Sequence, residues 1–198
     1  MGVRKLQAAE TESALLEAAR RLFAEQGYLN TKITDITGAA GRATGSFYQH
    51  FASKEELLRA LQADMYEQGS AAFAGDGEQH DLADPVQLRQ HLAVAWGVMC
   101  GNRAVVAALF EAAVASGPAS GALWEQLTAG TTVYREHLEY MRSQGRELPG
   151  DPELVAAAMG GLMSILAYTL PPDYSAGAVI DALTALLLHG LAGASRPG

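Results

Sequence analysis

The 198-residue chain reads as all-α, an N-terminal three-helix domain with a helix-turn-helix followed by a larger C-terminal helical bundle, about nine helices in all. Three observations predict this. Apolar residues recur at steps of three and four along most of the chain, the spacing that lines one face of a helix. No segment sustains the period-two alternation of a strand. Residues 33–51, ITDITGAAGRATGSFYQHF, read as two short helices joined by a glycine turn and closed by aromatic residues.

Residues 1–10 carry Arg4 and Lys5 with little apolar content and read as a flexible arm. The first helix spans about residues 11–26, with Leu15, Ala18, Ala19, Leu22 and Phe23 at helical spacing, and Gly27 closes it. Thr34 is placed to cap the second helix, which carries Ile36, Ala39 and Ala40 on one face. Gly41 suits the position just past that helix, where positive φ is often needed and glycine adopts it without a Cβ penalty. The third helix, about residues 44–50, sends Phe47 and Phe51 inward and leaves Arg42, Thr44, Ser46, Tyr48, Gln49 and His50 to an outside partner.

Ser53 and Glu56 have the spacing of a capping box, so a long helix begins there and runs to about residue 74 with Leu57, Leu58, Leu61, Met65 and Phe73 apolar. Gly75, Asp76 and Gly77 open a polar loop that lasts to Asp84. Pro85 fits the first turn of a helix to about residue 100, carrying Leu88, Leu92, Ala95, Trp96 and Met99. The next helix, about residues 103–116, holds Val105, Val106, Leu109, Phe110 and Ala113 and stops at Gly117-Pro118. Leu127, Thr131, Tyr134, Leu138 and Met141 form one stripe of a long helix over about residues 122–144. Pro152 opens a helix over about residues 153–170, stopped by Pro171 and Pro172. A last helix, about residues 176–192, is apolar over much of its circumference, and the tail from Ser195 reads as frayed.

Hydrophobic residues make up 49% and charged residues 18%, a globular rather than a disordered composition. The net charge of −8 opposes indiscriminate binding to polyanions, but it is unevenly spread. Residues 1–60 carry eight Lys or Arg against seven Asp or Glu, and residues 61–198 carry six against fifteen. Nucleic-acid contact is therefore confined to the N-terminal part. The single Cys100 excludes an intramolecular disulfide and reads as a buried, inert thiol. No charged-then-apolar leader precedes Thr11, so a cytoplasmic setting is expected. The apolar run over residues 154–170 is interrupted by glycines and short for a membrane span, so it reads as a buried or interface helix. His91 and His137 have no local carboxylate or cysteine at metal-ligand spacing, and neither a metal nor a cofactor is expected.

Several pieces of residues 11–60 now fall into one order: a first helix ending Glu25-Gln26-Gly27-Tyr28, then Thr34-Asp35-Ile36, Ala39-Ala40-Gly41, Gly45-Ser46-Phe47-Tyr48-Gln49-His50-Phe51 and Ser53-Lys54-Glu55-Glu56-Leu57-Leu58. In that order they resemble the DNA-binding domain of the TetR family of transcriptional regulators. The remainder resembles the family's C-terminal ligand and dimer domain in length and helical layout only. The resemblance implies a DNA-binding domain over residues 11–52 and a ligand-binding and dimerisation domain over residues 53–198. It implies a homodimer that places two recognition helices, residues 44–50, in successive major grooves of a pseudo-palindromic operator.

The candidate DNA contacts are Lys32, Thr34, Arg42, Thr44, Gly45, Ser46, Tyr48, Gln49, His50 and Lys54. Thr44 and Ser46 offer hydroxyls to base edges or phosphates, Tyr48 and His50 offer donors to backbone oxygens, and Lys54 adds a cation at a helix start that already favours anions. Arg42 stands where family members commonly carry an apolar residue. Trp96, Met99, Phe110, Trp124, Tyr134 and Met163 are candidate lining for a small-molecule pocket, expected to take a hydrophobic or aromatic ligand. Small residues at 156–161 and the apolar last helix predict a two-fold, four-helix interface through the two C-terminal helices. The expected function is a repressor released from its operator by the ligand. No enzymatic activity is expected, because no Glu-x-x-His pair, nucleophile elbow or phosphate loop occurs. The alternative is a helical ligand-binding or scaffold protein that never touches DNA.

Overall fold

A computed structural model describes residues 2–73, 81–171 and 173–192. The expected loop at Gly75, Asp76 and Gly77, Pro172, the tail from Ser195 and the side chain of Phe73 lie outside the described residues. Among the described residues the structure is all-helical, with α1 Val3–Gln26, α2 Ile33–Ala39, α3 Thr44–Phe47, α4 Lys54–Phe73 and α5 Pro85–Gly101. These are followed by α6 Arg103–Ala115, α7 Ala122–Ala129, α8 Thr132–Ser143, α9 Pro152–Thr169 and α10 Ala176–His189, with a 3₁₀ turn at Gly190–Ala192.

Outside the helix-turn-helix, three elements differ from the sequence reading. Helix α1 begins at Val3 rather than near Thr11, so residues 3–10 are helical where an arm was expected. The stretch Lys5 to Glu10 is rich in good helix formers that need no buried stripe, and it stays exposed. The helix expected over residues 122–144 breaks into α7 and α8 at Gly130 and Thr131. The last α-helix stops at His189, because Gly190 turns the backbone to φ 61°.

The described chain forms two compact units. The first comprises Met1–Glu67 and Asn102–Gln126. Leu15, Ala18, Ala19 and Phe23 of α1, Ile36 of α2, Phe47 of α3 and Leu57, Leu58 and Leu61 of α4 are buried in it. Helix α6 packs on α1 and buries Val105, Val106, Ala108, Leu109 and Ala113, so this unit runs past residue 52 and takes in a distant segment. Helix α4 starts as its sequence indicates. Ser53 Oγ accepts the Glu56 N–H at 3.2 Å, and the Glu56 carboxylate accepts the Ala52 N–H.

The second unit comprises Gln68–Gly101 and Leu127–Gly198. Its core joins Leu88, Leu92 and Trp96 of α5, Tyr134, Leu138 and Met141 of α8, Met159, Met163 and Ala167 of α9, and Val179, Ile180 and Leu183 of α10. Asp151 and Ser175 cap α9 and α10, accepting the N–H groups of Glu153 and Ala178 at 3.0 and 3.1 Å. Among the described residues, Pro152–Thr169 is one helix long and apolar enough to cross a membrane by length and composition, but Ala156, Met159, Met163 and Ala167 seat it in this core.

Of the small residues at 156–161, Ala156, Ala157 and Gly160 are buried within the chain, whereas Ala158 is exposed. A Cβ on Gly160 would lie 2.4 Å from Thr131 Cγ2, and one on Gly161 would lie 3.4 Å from Leu127 Cδ2. The face of α9 left exposed carries Leu154, Leu162, Ile165 and Tyr168 together with Ala158.

The same core holds a pair that the sequence could not reveal. His91 and His137, 46 residues apart, face each other with Nε2 atoms 3.1 Å apart, and both are buried. His91 Nδ1 lies 2.9 Å from the Gln87 carbonyl, which only accepts, so that nitrogen carries the proton; in a neutral His91 ring Nε2 is then the acceptor of the His137 Nε2–H. Tyr134 donates its hydroxyl to the His91 carbonyl at 3.3 Å, and burial pushes its phenol pKa up. Among the described residues no three His, Cys, Asp or Glu side chains are placed to hold a metal ion.

Candidate nucleic-acid interface

Helix α2 starts one residue before the expected Thr34 cap. Lys32 occupies the cap position with extended backbone, and Asp35 accepts its N–H at 2.9 Å, which satisfies one of the donors a helix start leaves open. Thr34 thus sits in the first turn with its side chain exposed. At the other end Gly41 has φ 63°, its N–H bonds Gly38 O at 3.1 Å, and the Arg42 N–H bonds Thr37 O at 2.9 Å. That pair of bonds is a Schellman closure, and it requires the left-handed residue the sequence supplies.

The chain then enters α3 through Ala43, whose side chain has nothing to cap with. Thr44 does not serve as that cap either. Its Oγ1 lies 3.4 Å from Thr37 Oγ1, joining the start of α3 to α2 across the turn. Regular helix lasts only from Thr44 to Phe47, shorter than the expected residues 44–50, and single turn bonds carry the chain through His50 to Phe51. Phe47 is wholly buried, with ring centroids of Tyr48 and Phe51 at 5.5 and 5.7 Å. The segment is therefore anchored by aromatic packing rather than by its own helical bonds.

Seven of the ten candidate contacts have exposed side chains or, for Gly45, an exposed backbone: Lys32, Thr34, Arg42, Thr44, Gly45, Tyr48 and Gln49. A Cβ on Gly45 would meet nothing within 4 Å, so its surface is open. Tyr48 is 58% exposed although its ring edge meets Phe47. Ser46 is half-buried. His50 is turned toward α1, its Nδ1 3.5 Å from Glu12 Oε2 and its side chain only 11% exposed. The exposed groups include two cations, several hydroxyls and an amide, a set that can bond phosphate oxygens and base edges alike.

Lys54 is turned inward. Its Nζ donates to Tyr28 O at 2.7 Å and to Thr31 O at 2.8 Å and sits 4.1 Å from the centre of the Tyr28 ring. Burial lowers its pKa, against the opposing charges of Glu55 and Glu111. Tyr28 in turn donates to Glu55 Oε1 at 3.1 Å, and its phenol pKa is raised by burial first and by that carboxylate second. The ammonium thus holds the loop between α1 and α2 and is not free to face phosphate. Lys54→Ala is accordingly expected to lower stability by about 1–3 kcal/mol, since two carbonyls lose a charged donor. The salt dependence of DNA binding is expected to stay within error. Urea melts and a salt titration check both, and a shallower slope at unchanged stability would return Lys54 to the phosphate contacts.

The candidate ligand residues separate by unit. Trp96, Tyr134 and Met163 are buried in the second unit's core and Met99 packs against it half-buried, whereas Phe110 and Trp124 belong to the first unit, Trp124 at 46% exposed.

Comparison with known proteins addresses the same N-terminal region. The family described as bacterial regulatory proteins, tetR family, matches residues 15–61. The chain is 37% identical over 82 residues to the HTH-type transcriptional regulator TtgR of Pseudomonas putida, an alignment covering 41% of this chain and 39% of that protein. It is 51% identical over 47 residues to the repressor KstR2 of Mycobacterium tuberculosis, covering 24% of each. The matched part thus spans well under half the length of these relatives. Over the whole fold, the fatty acid degradation regulator FadR from Bacillus halodurans superposes with a TM-score of 0.72 at 19% identity, covering 93% of this chain and 97% of that one. AibR, solved with isovaleryl coenzyme A and operator DNA, superposes with a TM-score of 0.64 at 22% identity, covering 90% and 98%. Residues 15–61, which hold the helix-turn-helix of α2 and α3, thus match the tetR family of bacterial regulatory proteins in sequence, and the helical architecture matches these solved structures in fold.

Proposed function

We propose that the protein is a cytoplasmic, homodimeric transcriptional repressor that reads a pseudo-palindromic operator and leaves it when a small hydrophobic or aromatic ligand binds. The observation that carries this reading is the division of labour in α3. Phe47 fixes the segment from inside, while Arg42, Thr44, Tyr48 and Gln49 stand outside it with donors and acceptors at the reach of a major groove. DNA binding is assigned to residues 11–52, through Lys32, Thr34, Arg42, Thr44, Gly45, Ser46, Tyr48 and Gln49, and ligand binding and dimerisation to residues 53–198.

Dimerisation through α9 and α10 is supported by the exposed stripe of Leu154, Leu162, Ile165 and Tyr168, with Leu186 exposed on α10. Apolar side chains aligned in this way on one helix face suit an isologous contact. A ligand of apolar character is supported by Trp96, Met99, Tyr134 and Met163, which gather in one core. FadR is by its description a fatty acid degradation regulator, and AibR was solved with an acyl coenzyme A. An apolar chain as part of the effector of the present protein agrees with both, although the coenzyme A portion of the AibR ligand is itself charged.

The test is a footprint and gel shift with DNA from around the protein's own gene. A protected dyad is expected, its half-sites about 34–36 Å apart centre to centre or a multiple of that. Folded dimer that protects no dyad at moderate salt would replace this reading with a helical ligand-binding or scaffold protein.

A further inference from the structure

The loop between α1 and α2 sets where the reading helices start, and nearly every polar group in it is held from inside residues 1–61. Lys54 holds the carbonyls of Tyr28 and Thr31, Thr31 Oγ1 donates to Gly27 O at 2.7 Å, Gln26 Nε2 donates to Thr31 Oγ1 at 3.2 Å, and Asn30 Nδ2 donates to Gln26 O at 2.9 Å. One bond comes from elsewhere. Glu111 on α6, 82 residues away, accepts the Leu29 N–H on Oε2 at 3.2 Å. The place it occupies is made by a missing side chain. Both Glu111 carboxylate oxygens lie 3.2 Å from where a Cβ on Gly27 would stand, and Gly27 has φ 80°, a backbone angle that disfavours any other residue.

We propose that Glu111 is a positioning residue for operator reading: from α6 it clamps the α1–α2 loop through the Leu29 N–H and the notch left by Gly27, and so fixes the entry of α2 and the aim of α3. Several features of the site agree. The carboxylate is far in sequence from the DNA-binding segment and contributes nothing to its apolar core. Its charge is one of those acting on Lys54, the cation that holds the loop's carbonyls. Helix α6 is fixed against α1 by Val105, Val106, Leu109 and Ala113, so the carboxylate is presented from a packed surface. Bonds from a charged acceptor are also the stronger kind.

This inference rests on α3 being the DNA-reading segment, and the experiment separates the two. In the full chain, Glu111→Ala, Glu111→Gln and Gly27→Ala are compared with wild type in three readouts: amide exchange at Leu29, operator affinity by fluorescence anisotropy, and the salt slope of that affinity. Glu111→Ala is expected to speed Leu29 exchange by about tenfold and to weaken operator binding by about five- to tenfold, the scale of one lost charge-assisted hydrogen bond. Glu111→Gln keeps an acceptor oxygen and is expected to recover affinity to within about threefold. Gly27→Ala displaces the carboxylate and is expected to behave like Glu111→Ala. The salt slope is expected to hold in all three, because no phosphate contact is touched.

Unchanged Leu29 exchange in Glu111→Ala overturns the clamp, and affinity within twofold of wild type overturns its role in reading. A changed salt slope overturns it as well, since Glu111 would then act by repelling DNA. If wild type binds no operator, the DNA-reading assignment fails, and with it this role for Glu111, while Leu29 exchange still reports on the clamp itself.

Discussion

Phe47→Ala is expected to lower stability by about 3–5 kcal/mol, the range for removing a fully buried aromatic ring. The side chain has no exposed surface and sits in a four-residue helix. A helix that short has no stability of its own, so α3 holds its place only because Phe47 is seated beneath it. The loss is therefore twofold, a cavity in the first unit and a freed reading segment. With total stabilities of about 5–15 kcal/mol for proteins of this kind, the variant should unfold at markedly lower urea and lose operator binding together with its fold. Tyr48→Ala is the matching contrast, because its side chain is 58% exposed. It is expected to keep stability within about 0.5 kcal/mol and to weaken only DNA binding. Equal urea midpoints for Phe47→Ala and wild type would refute the anchoring role, and a Tyr48→Ala loss of stability as large as that of Phe47→Ala would refute the division between anchor and contact.

What the sequence disclosed, and what it hid, follow the range of the forces involved. The turn at Gly41 and the start of α4 at Ser53 were legible because each depends on bonds spanning three to five residues, Arg42 to Thr37 in one case and Glu56 to Ser53 in the other. Phe47 and Phe51 were legible from spacing alone. The role of Lys54 was not. Its partners Tyr28 and Thr31 are 26 and 23 residues away, and a lysine at a helix start looks the same in sequence whether it faces phosphate or a carbonyl. Thr34 is not the cap for a local reason: the helix starts earlier, with Lys32 at the cap position, and the Asp35 carboxylate inside the first turn accepts the Lys32 N–H. The contacts of Glu111 and the facing rings of His91 and His137 depend on tertiary packing across 82 and 46 residues, beyond any periodic signal. The break between α7 and α8 had a faint sign in Gly130-Thr131-Thr132, residues of modest helix propensity, but the shared stripe of Thr131, Tyr134 and Leu138 masked it.

That break leads to the second large effect. Gly160→Ala should destabilise the protein, against the ordinary preference. In a helix interior, alanine is favoured over glycine by about 1 kcal/mol, and α9 is regular at this position. Here the added Cβ would lie 2.4 Å from Thr131 Cγ2, a distance at which something has to move. Thr131 has little freedom to do so. It is buried to 4% exposure, it is β-branched, and its hydroxyl donates to Thr128 O at 2.9 Å. Overpacking of this kind costs about 1–3 kcal/mol, which less the helix preference of about 1 kcal/mol leaves a net loss of up to about 2 kcal/mol and a melting temperature lower by up to roughly 8 °C. Thr131→Ser removes the clashing methyl and keeps the hydroxyl, so the double variant should recover most of the loss, a coupling expected for residues in contact. Gly97→Ala in α5 provides the internal standard: that position is exposed, nothing lies within 4 Å of the new Cβ, and the melting temperature should rise slightly or stay level. A Gly160→Ala protein that melts at or above wild type would mean that α9 shifts freely over the junction of α7 and α8. The close approach would then be incidental to the packing of the second unit rather than the reason for glycine at residue 160.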